Sequence, residues 1–322
     1  MKRRSVLAGL ALASAAGACG SAFAQSYPSR PVRFVVGYSP GGGNDLIARI
    51  VAAKLQERLG QPVVVENKAG AQSIIAAEMV ARSTPDGYTL LVAPSGPMTI
   101  NPAVYRKLSY APDKDFVPIS LMAEFPLMLA VGAQQPVKSV AELVAKAKAD
   151  PKQANYASSA TPFQLASELF NQKTGSAFQH IPYRGSGESV NAVMSGDVLM
   201  TIADSGPMSG PLKGGLLRAL AITSAKRHRS FPDVPTMAEA GITGMEITLW
   251  TGLVAPSGTP TDIVAKLQTE IAAVVALPDV KERFEQIAVD PRSTTSDEYR
   301  AIIASDIARW KAVADAANIK LD

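Results

Sequence analysis

The sequence predicts an α/β protein of two lobes, each a sheet flanked by helices, joined by two chain crossings. Three observations predict it. From Val32 onward, short apolar strands alternate with helices of period about 3.6, the pattern of a sheet wound by crossover helices. A second such series begins at Phe125. A long strand-like run over 247–255 is then followed by helices with no sheet of their own, so the chain is expected to return to the first sheet. The expected partition is 25–124 and 250–322 in lobe 1 and 125–249 in lobe 2, with crossings near Glu124 and Leu249. Two crossings make a hinge, and a hinge between two sheets makes a closing cleft.

The elements follow in order. Val32, Phe34, Val35 and Val36 form the first strand. Tyr38-Ser39-Pro40-Gly41-Gly42-Gly43-Asn44-Asp45 breaks it. From Leu46 the period changes, and Leu46, Ile47, Ile50, Val51, Leu55 and Leu59 share a helical face until Gly60. Residues 61–67 read as a second strand, 73–81 as a short helix, and 88–93 as a third strand ending at Pro94-Ser95-Gly96. Residues 102–120 read as irregular and Pro-rich. In the second series 127–131 is a strand, and Ser139 caps a helix over 140–149 with Glu142 at its third position. A strand from Asn155 passes into a Ser-rich loop at Ser158-Ser159-Ala160, and Pro162 starts a helix to Phe170. A strand from His180 ends at Tyr183-Arg184-Gly185 before a helix to Met194. Strands follow over 198–203, ending on Asp204, and over 216–223. The last helices are expected at 261–276, 278–287 and 296–317. The alternation argues for parallel, doubly wound sheets, whose ligands sit beyond the carboxyl ends of the strands.

The glycine loop carries the chemistry. It joins a strand end to a helix start, and so aims unpaired N–H groups and a partial positive charge at whatever approaches. That suits a carboxylate or a phosphate. A P-loop needs Gly-Lys-Ser/Thr, which Gly43-Asn44-Asp45 lacks, and a dinucleotide fingerprint needs a small residue where Leu46 stands. The remaining readings are anion capture, with three glycines clearing the approach, and an ordinary turn capped by Asn44 or Asp45.

Composition bounds the class. The 322 residues suffice for two lobes with cores; 6% aromatic and 19% charged residues suit an ordered α/β chain. Residues 1–24 read as an export signal: Lys2-Arg3-Arg4, an apolar stretch, and Ala22-Phe23-Ala24 before the cut. Arg3-Arg4 fits both a twin-arginine and an ordinary secretory signal. Ala16-Gly17-Ala18-Cys19 is the weaker lipoprotein alternative, because Ala stands where Leu is expected. Cys19 is the only cysteine, so the mature chain is expected to have no disulfide, thiolate or Cys metal site. Removing three basic residues and no acidic ones takes the net charge from +4 to +1, which gives no support to nucleic-acid binding.

Histidine-based catalytic patterns are not found. The only histidines are His180 and His228; there is no His-x-x-x-His or Glu-x-x-His. Asp45 and Asp204 pair as carboxylates only on paper, with no nucleophile or metal site beside them. No cofactor, metal or catalytic residue is expected.

Several segments together resemble the substrate-binding proteins of tripartite tricarboxylate transporters, the Bug family. They are Tyr27-Pro28-Ser29-Arg30-Pro31-Val32, Pro40-Gly41-Gly42-Gly43-Asn44-Asp45, Gly60-Gln61-Pro62-Val63-Val64-Val65-Glu66-Asn67 and Pro85-Asp86-Gly87-Tyr88-Thr89-Leu90-Leu91. Asn155-Tyr156-Ala157-Ser158-Ser159, Pro182-Tyr183-Arg184-Gly185, Leu217-Arg218-Ala219-Leu220-Ala221, Pro232-Asp233-Val234-Pro235-Thr236 and Trp250-Thr251-Gly252-Leu253-Val254-Ala255-Pro256 follow. Each alone is weak; their order and spacing over nearly the whole mature chain are specific.

The resemblance implies a periplasmic, two-lobed, non-catalytic binding protein. It would close on a small organic carboxylate and deliver it to transporter membrane subunits; a monomer is expected. By motif match, the ligand site is Tyr38, Gly42, Gly43, Asn44 and Asp45 in the first loop and Ser95 and Asn101 after the third strand. Ser158, Ser159, Ala160, Tyr183 and Asp204 complete it from lobe 2. Asp45 and Asp204 also read as caps, and otherwise meet ligand through water or an ammonium group. The chain departs from the family pattern at Asn44, where Thr is usual, at Gln72-Ser73-Ile74-Ile75, which is bulkier, and at the shortened Ala160-Thr161-Pro162-Phe163. Phe163 either lines the pocket, favouring an aromatic acid, or packs in the core beside Leu165. A ligand-presenting sensor subunit, or an enzyme using Asp45 or Asp204, are the alternative functions.

Overall fold

The structure, a computed structural model, describes residues 27–316 and Lys320. The expected export signal, its cut after Ala24 and Cys19 lie outside the described residues. The first elements come as expected: β1 (Val32–Val36), α1 (Gly43–Leu59), β2 (Val63–Asn67), α2 (Ile74–Ala81) and β3 (Thr89–Pro94). The apolar face of α1 buries Ile47, Ile50, Val51, Leu55 and Leu59, and Gly60 ends it at a left-handed φ of 66°.

Residues 102–120 are more ordered than their prolines suggest. After the short helices α3 (Asn101–Val104) and α4 (Pro112–Asp115), β4 runs unbroken from Phe116 to Gly132. Proline inside a run argues against a strand, and Pro118 and Pro126 obscured this one. The ladder shifts register between Pro118 and Ser120, which accommodates the missing donor.

The remaining elements are α5 (Val140–Ala149), β5 (Asn155–Ser158), α6 (Thr161–Thr174), β6 (Gln179–Pro182), α7 (Ser186–Ser195) and β7 (Met200–Asp204). Then come α8 (Ser205–Lys213), β8 (Leu217–Ile222), β9 (Thr248–Pro256), α9 (Thr261–Ala276), α10 (Pro278–Gln286), β10 (Asp290–Pro291) and α11 (Ser296–Ala316). The helix α8 was hidden by Gly206, Pro207, Gly210 and Pro211, which depress helix propensity.

The strands run in the order β2-β1-β3-β9-β4-β7-β5-β6, with β8 and β10 also paired to β4. β1, β2 and β3 are parallel, as are β5, β6 and β7, but β9 and β4 are antiparallel insertions, so the sheets are mixed. β4 is the shared spine of two lobes. Residues 116–126 pair with β9, and 127–132 pair with β7 and β8. After β9, α9 packs on α1 and β4, and α11 packs on β4 and α3. Trp250 Nε1 donates to Asp306 of α11 at 2.8 Å, and the fully buried Tyr299 donates to the Ala93 carbonyl at 2.9 Å. The terminal helices therefore rejoin the first sheet. Among the described residues, no helix is long and apolar enough to cross a membrane.

Candidate functional site

A cleft of about 460 Å³, its mouth included, opens where strand ends of both lobes meet. Tyr38, Ser39, Gly42, Gly43 and Asn44 form one wall with Pro94, Ser95 and Gly96. Ser159, Ala160, Pro162, Phe163, Gly185, Ser186 and Asp204 form the other, and Phe125 and Leu249 lie at the chain crossings. The starts of three helices reach it: α1 through Gly42 and Gly43, α6 through Ala160, and α7 through Gly185 and Ser186. Each sits there because a strand runs out and a residue without a bulky branch lets the chain turn into a helix.

The lobes touch through polar groups in this cleft and beside it. Gly43 N–H donates to Asp204 Oδ2 at 2.7 Å. Thr161 N–H, at the start of α6, donates to Gln72 Oε1 at 2.9 Å. Ser39 Oγ donates to the Arg184 carbonyl at 3.2 Å. Close approach demands glycine at two points: a Cβ on Gly43 would stand 2.3 Å from Asp204 Oδ2, and one on Gly185 would stand 2.9 Å from Ser39 Cβ.

Asp204 is the only charged side chain among the lining residues, and it is 3% exposed. Its Oδ1 has no hydrogen-bond partner. Burial raises its pKa above the ordinary Asp value, against the pull of the nearby Ser186 hydroxyl and the Gly43 N–H. Tyr38 is likewise driven well up by burial, and stays a neutral donor. Asn44 lines the cleft with its Oδ1 held by Thr251 Oγ1 at 2.6 Å. Ser159 Oγ and Ser186 Oγ pair at 3.2 Å.

Other expected residues lie elsewhere. Asp45 does not line the cleft; its carboxylate accepts from Gly41 N–H at 2.9 Å, from Arg49 and from Asn67, so it braces the glycine loop from behind. Burial would raise its pKa, but these partners win and hold it below the ordinary value. Asn101 is buried behind the wall, donating to the Gln72 carbonyl at 2.9 Å. Ser158 turns to His180 Nε2 at 2.7 Å. That is nucleophile–base spacing, but Ser158 is buried and lines no part of the cleft. Tyr183 lines an adjoining, more open hollow with Gln72, Ser73 and Arg184. Phe163 both lines the cleft and packs in the core, so its two readings merge.

The sequence reading missed Ser39, Gln72, Gly185, Ser186, Phe125 and Leu249. Gly185-Ser186 follows β6 and was within reach of the strand-end rule applied elsewhere. Gln72 had no such signal: it lines the adjoining hollow, in a turn where Ala71, Gln72 and Ser73 all hold positive φ, at 45°, 54° and 70°.

Residues 47–319 match the model of the tripartite tricarboxylate transporter family receptor. Protein BugT of Bordetella pertussis is 36% identical over 324 residues, covering 100% of this chain and 99% of that protein. The structure of Rpa4515 from R. palustris with adipate superposes at a TM-score of 0.89, with 36% identity over 91% of this chain and 99% of that one. MatC from Rhodopseudomonas palustris with bound malate gives 0.85, with 32% identity over 89% and 99%. The chain is a member of the tripartite tricarboxylate transporter receptor family of periplasmic solute-binding proteins.

Proposed function

We propose that this protein captures a small organic carboxylate between its lobes and delivers it to the membrane subunits of a tripartite tricarboxylate transporter, with no turnover. The observation that carries the reading is the convergence of the α1, α6 and α7 starts on a cleft whose lining offers no cationic side chain. Helix starts and hydroxyls then hold the anion. Micromolar capture needs about 8 kcal/mol. One helix end supplies about 0.3–2 kcal/mol, and each hydrogen bond to a charged group about 1.5–3 kcal/mol. One loop is insufficient, and donors from both lobes suffice, which makes closure part of the affinity. Phe125, Phe163 and Leu249 provide an apolar wall for the carbon body.

In this reading the lobes divide as 25–124 with 250–322, and 125–249. The hinge is the paired passage of β4 and β9 at Phe125 and Leu249. Gly43, Asn44, Ser95, Ser159, Ala160 and Asp204 face the ligand, with Tyr38, Gly42 and Ser186 completing the shell. The chain is exported with its signal removed after Ala24, and works as a monomer. The adipate and malate bound by its structural relatives make aliphatic diacids the first compounds to test.

A thermal-shift screen across aliphatic and aromatic acids tests the function. Ligand at 100 times its Kd stabilises by about 2.7 kcal/mol, a clear rise in Tm. No shift with any acid would contradict it.

A further inference from the structure

The cleft contains one feature that a simple anion trap does not need. Asp204 places a carboxylate at the anion-attracting start of α1, within 2.7 Å of the Gly43 nitrogen. The residue is 3% exposed, and no Lys, Arg or His lines the cleft to balance it. Its second oxygen, Oδ1, is buried without a hydrogen-bond partner. Ser186, whose hydroxyl stands near, makes its resolved bond to Ser159. Tyr38 is the other titratable group facing Asp204, and it is a neutral phenol. A buried acceptor with a free lone pair is costly unless something donates to it. The Ser186 hydroxyl and the Asp204 N–H stand near enough to pull on the carboxyl, but neither completes a hydrogen bond to Oδ1, which leaves that oxygen open to a donor on the ligand.

Resting on the carboxylate-binding reading above, we propose that Asp204 is the specificity-determining residue of the cleft. It selects acids that carry a hydrogen-bond donor, above all an ammonium group, on the carbon beside the carboxylate. The placement follows from the shared anchor. An acid held by the α1 start lies next to Gly43, and Gly43 is itself one hydrogen bond from Asp204. The carbon adjoining the bound carboxylate therefore stands beside Oδ1. An ammonium there completes the Asp204 hydrogen bonding and cancels its charge. An unsubstituted acid sets a second carboxylate against the first with no cation between them. The upward pKa displacement of Asp204 agrees, since burial outweighs the hydrogen bonding that Ser186, Gly43 and its own N–H offer the charged form.

The test is calorimetric titration of wild type and Asp204→Asn with matched series: succinate, malate and aspartate; 3-phenylpropionate, 3-phenyllactate and phenylalanine. The expected result is that, on whichever skeleton binds, affinity rises from unsubstituted to hydroxy to amino acid. The amino acid should exceed the unsubstituted acid by at least about tenfold, the scale of one charge-assisted hydrogen bond. Asp204→Asn should erase that order. Wild type binding the unsubstituted acid as well as or better than the amino acid would overturn the proposal and leave carboxylate capture standing. So would an unchanged order in Asp204→Asn. If the variant fails to fold, the wild-type order alone decides. Binding of no acid on either skeleton or in the wider screen would overturn both readings.

Discussion

Gly43 and Asp204, 161 positions apart, are joined by a hydrogen bond of 2.7 Å that fastens the start of α1 to the end of β7. Gln72 does the converse, taking the Thr161 N–H at the start of α6. Each lobe thus rests an oxygen of its own on a helix start of the other. The amides best placed for a ligand carboxylate already hold an acceptor. An incoming acid joins Asp204 at the start of α1 and inherits a site already shaped for it.

Gly43→Ala tests the close approach. The new Cβ would stand 2.3 Å from Asp204 Oδ2, so the lobes cannot close as they are. Alanine is also the better helix former, so the fold itself should not suffer. The expected outcome is a loss of at least about tenfold in carboxylate affinity by calorimetry, with Tm unchanged or slightly raised. Unaltered affinity would remove the glycine loop from the site.

Asp204→Asn tests the electrostatic cost of the buried carboxyl. Its folded pKa is raised, so its favourable contribution is present at low pH and is lost as pH rises through the folded value. The unliganded wild type should therefore lose Tm relative to the variant as pH rises above the ordinary Asp value, about 3.9. Parallel pH profiles of the two would contradict the assignment.

Asp45→Ala tests a brace as distinct from a ligand contact. Asp45 is held below its ordinary pKa by Arg49, Gly41 and Asn67, although burial works the other way. Its contribution is present at neutral pH and lost as pH falls below the ordinary Asp value, about 3.9. The variant should lose about 1–3 kcal/mol of stability at pH 7. Stability should converge with wild type in acid, as read by denaturant melts.

Gln72→Ala tests the second cross-lobe contact. It frees the Thr161 N–H and should loosen the unliganded closed state, seen as a larger radius of gyration by small-angle scattering. Saturating acid should restore the wild-type value, because the ligand then bridges the lobes.

Much of this was readable from sequence. Apolar runs ending in Gly, Ser or Asp marked the ends of β1, β3, β5 and β7, and the cleft lies where those ends meet. β4 was only half visible, since Pro118 and Pro126 sit inside a strand that bends its register around the first of them. Asp45 looked like a ligand contact because its partner Asn67 is on another strand, although Arg49 at i+4 was a readable hint. Ser158 ends β5 on the side where ligand residues are expected, but its hydroxyl pairs with His180 on the neighbouring strand, a contact the strand-end rule does not show. Gln72 stands out in the sequence only as part of a bulkier segment; its contact with Thr161 was not readable, because three consecutive non-glycine residues at positive φ carry no local signature and persist only where the surrounding structure holds them.

The most direct measurement is a crystal structure of the mature protein with the acid that stabilises it most. One carboxylate should lie between the starts of α1 and α6, accepting the Gly43 N–H, with Phe163 against the carbon body. An acid lodged outside this cleft, or within it but held by neither helix start, would contradict the account.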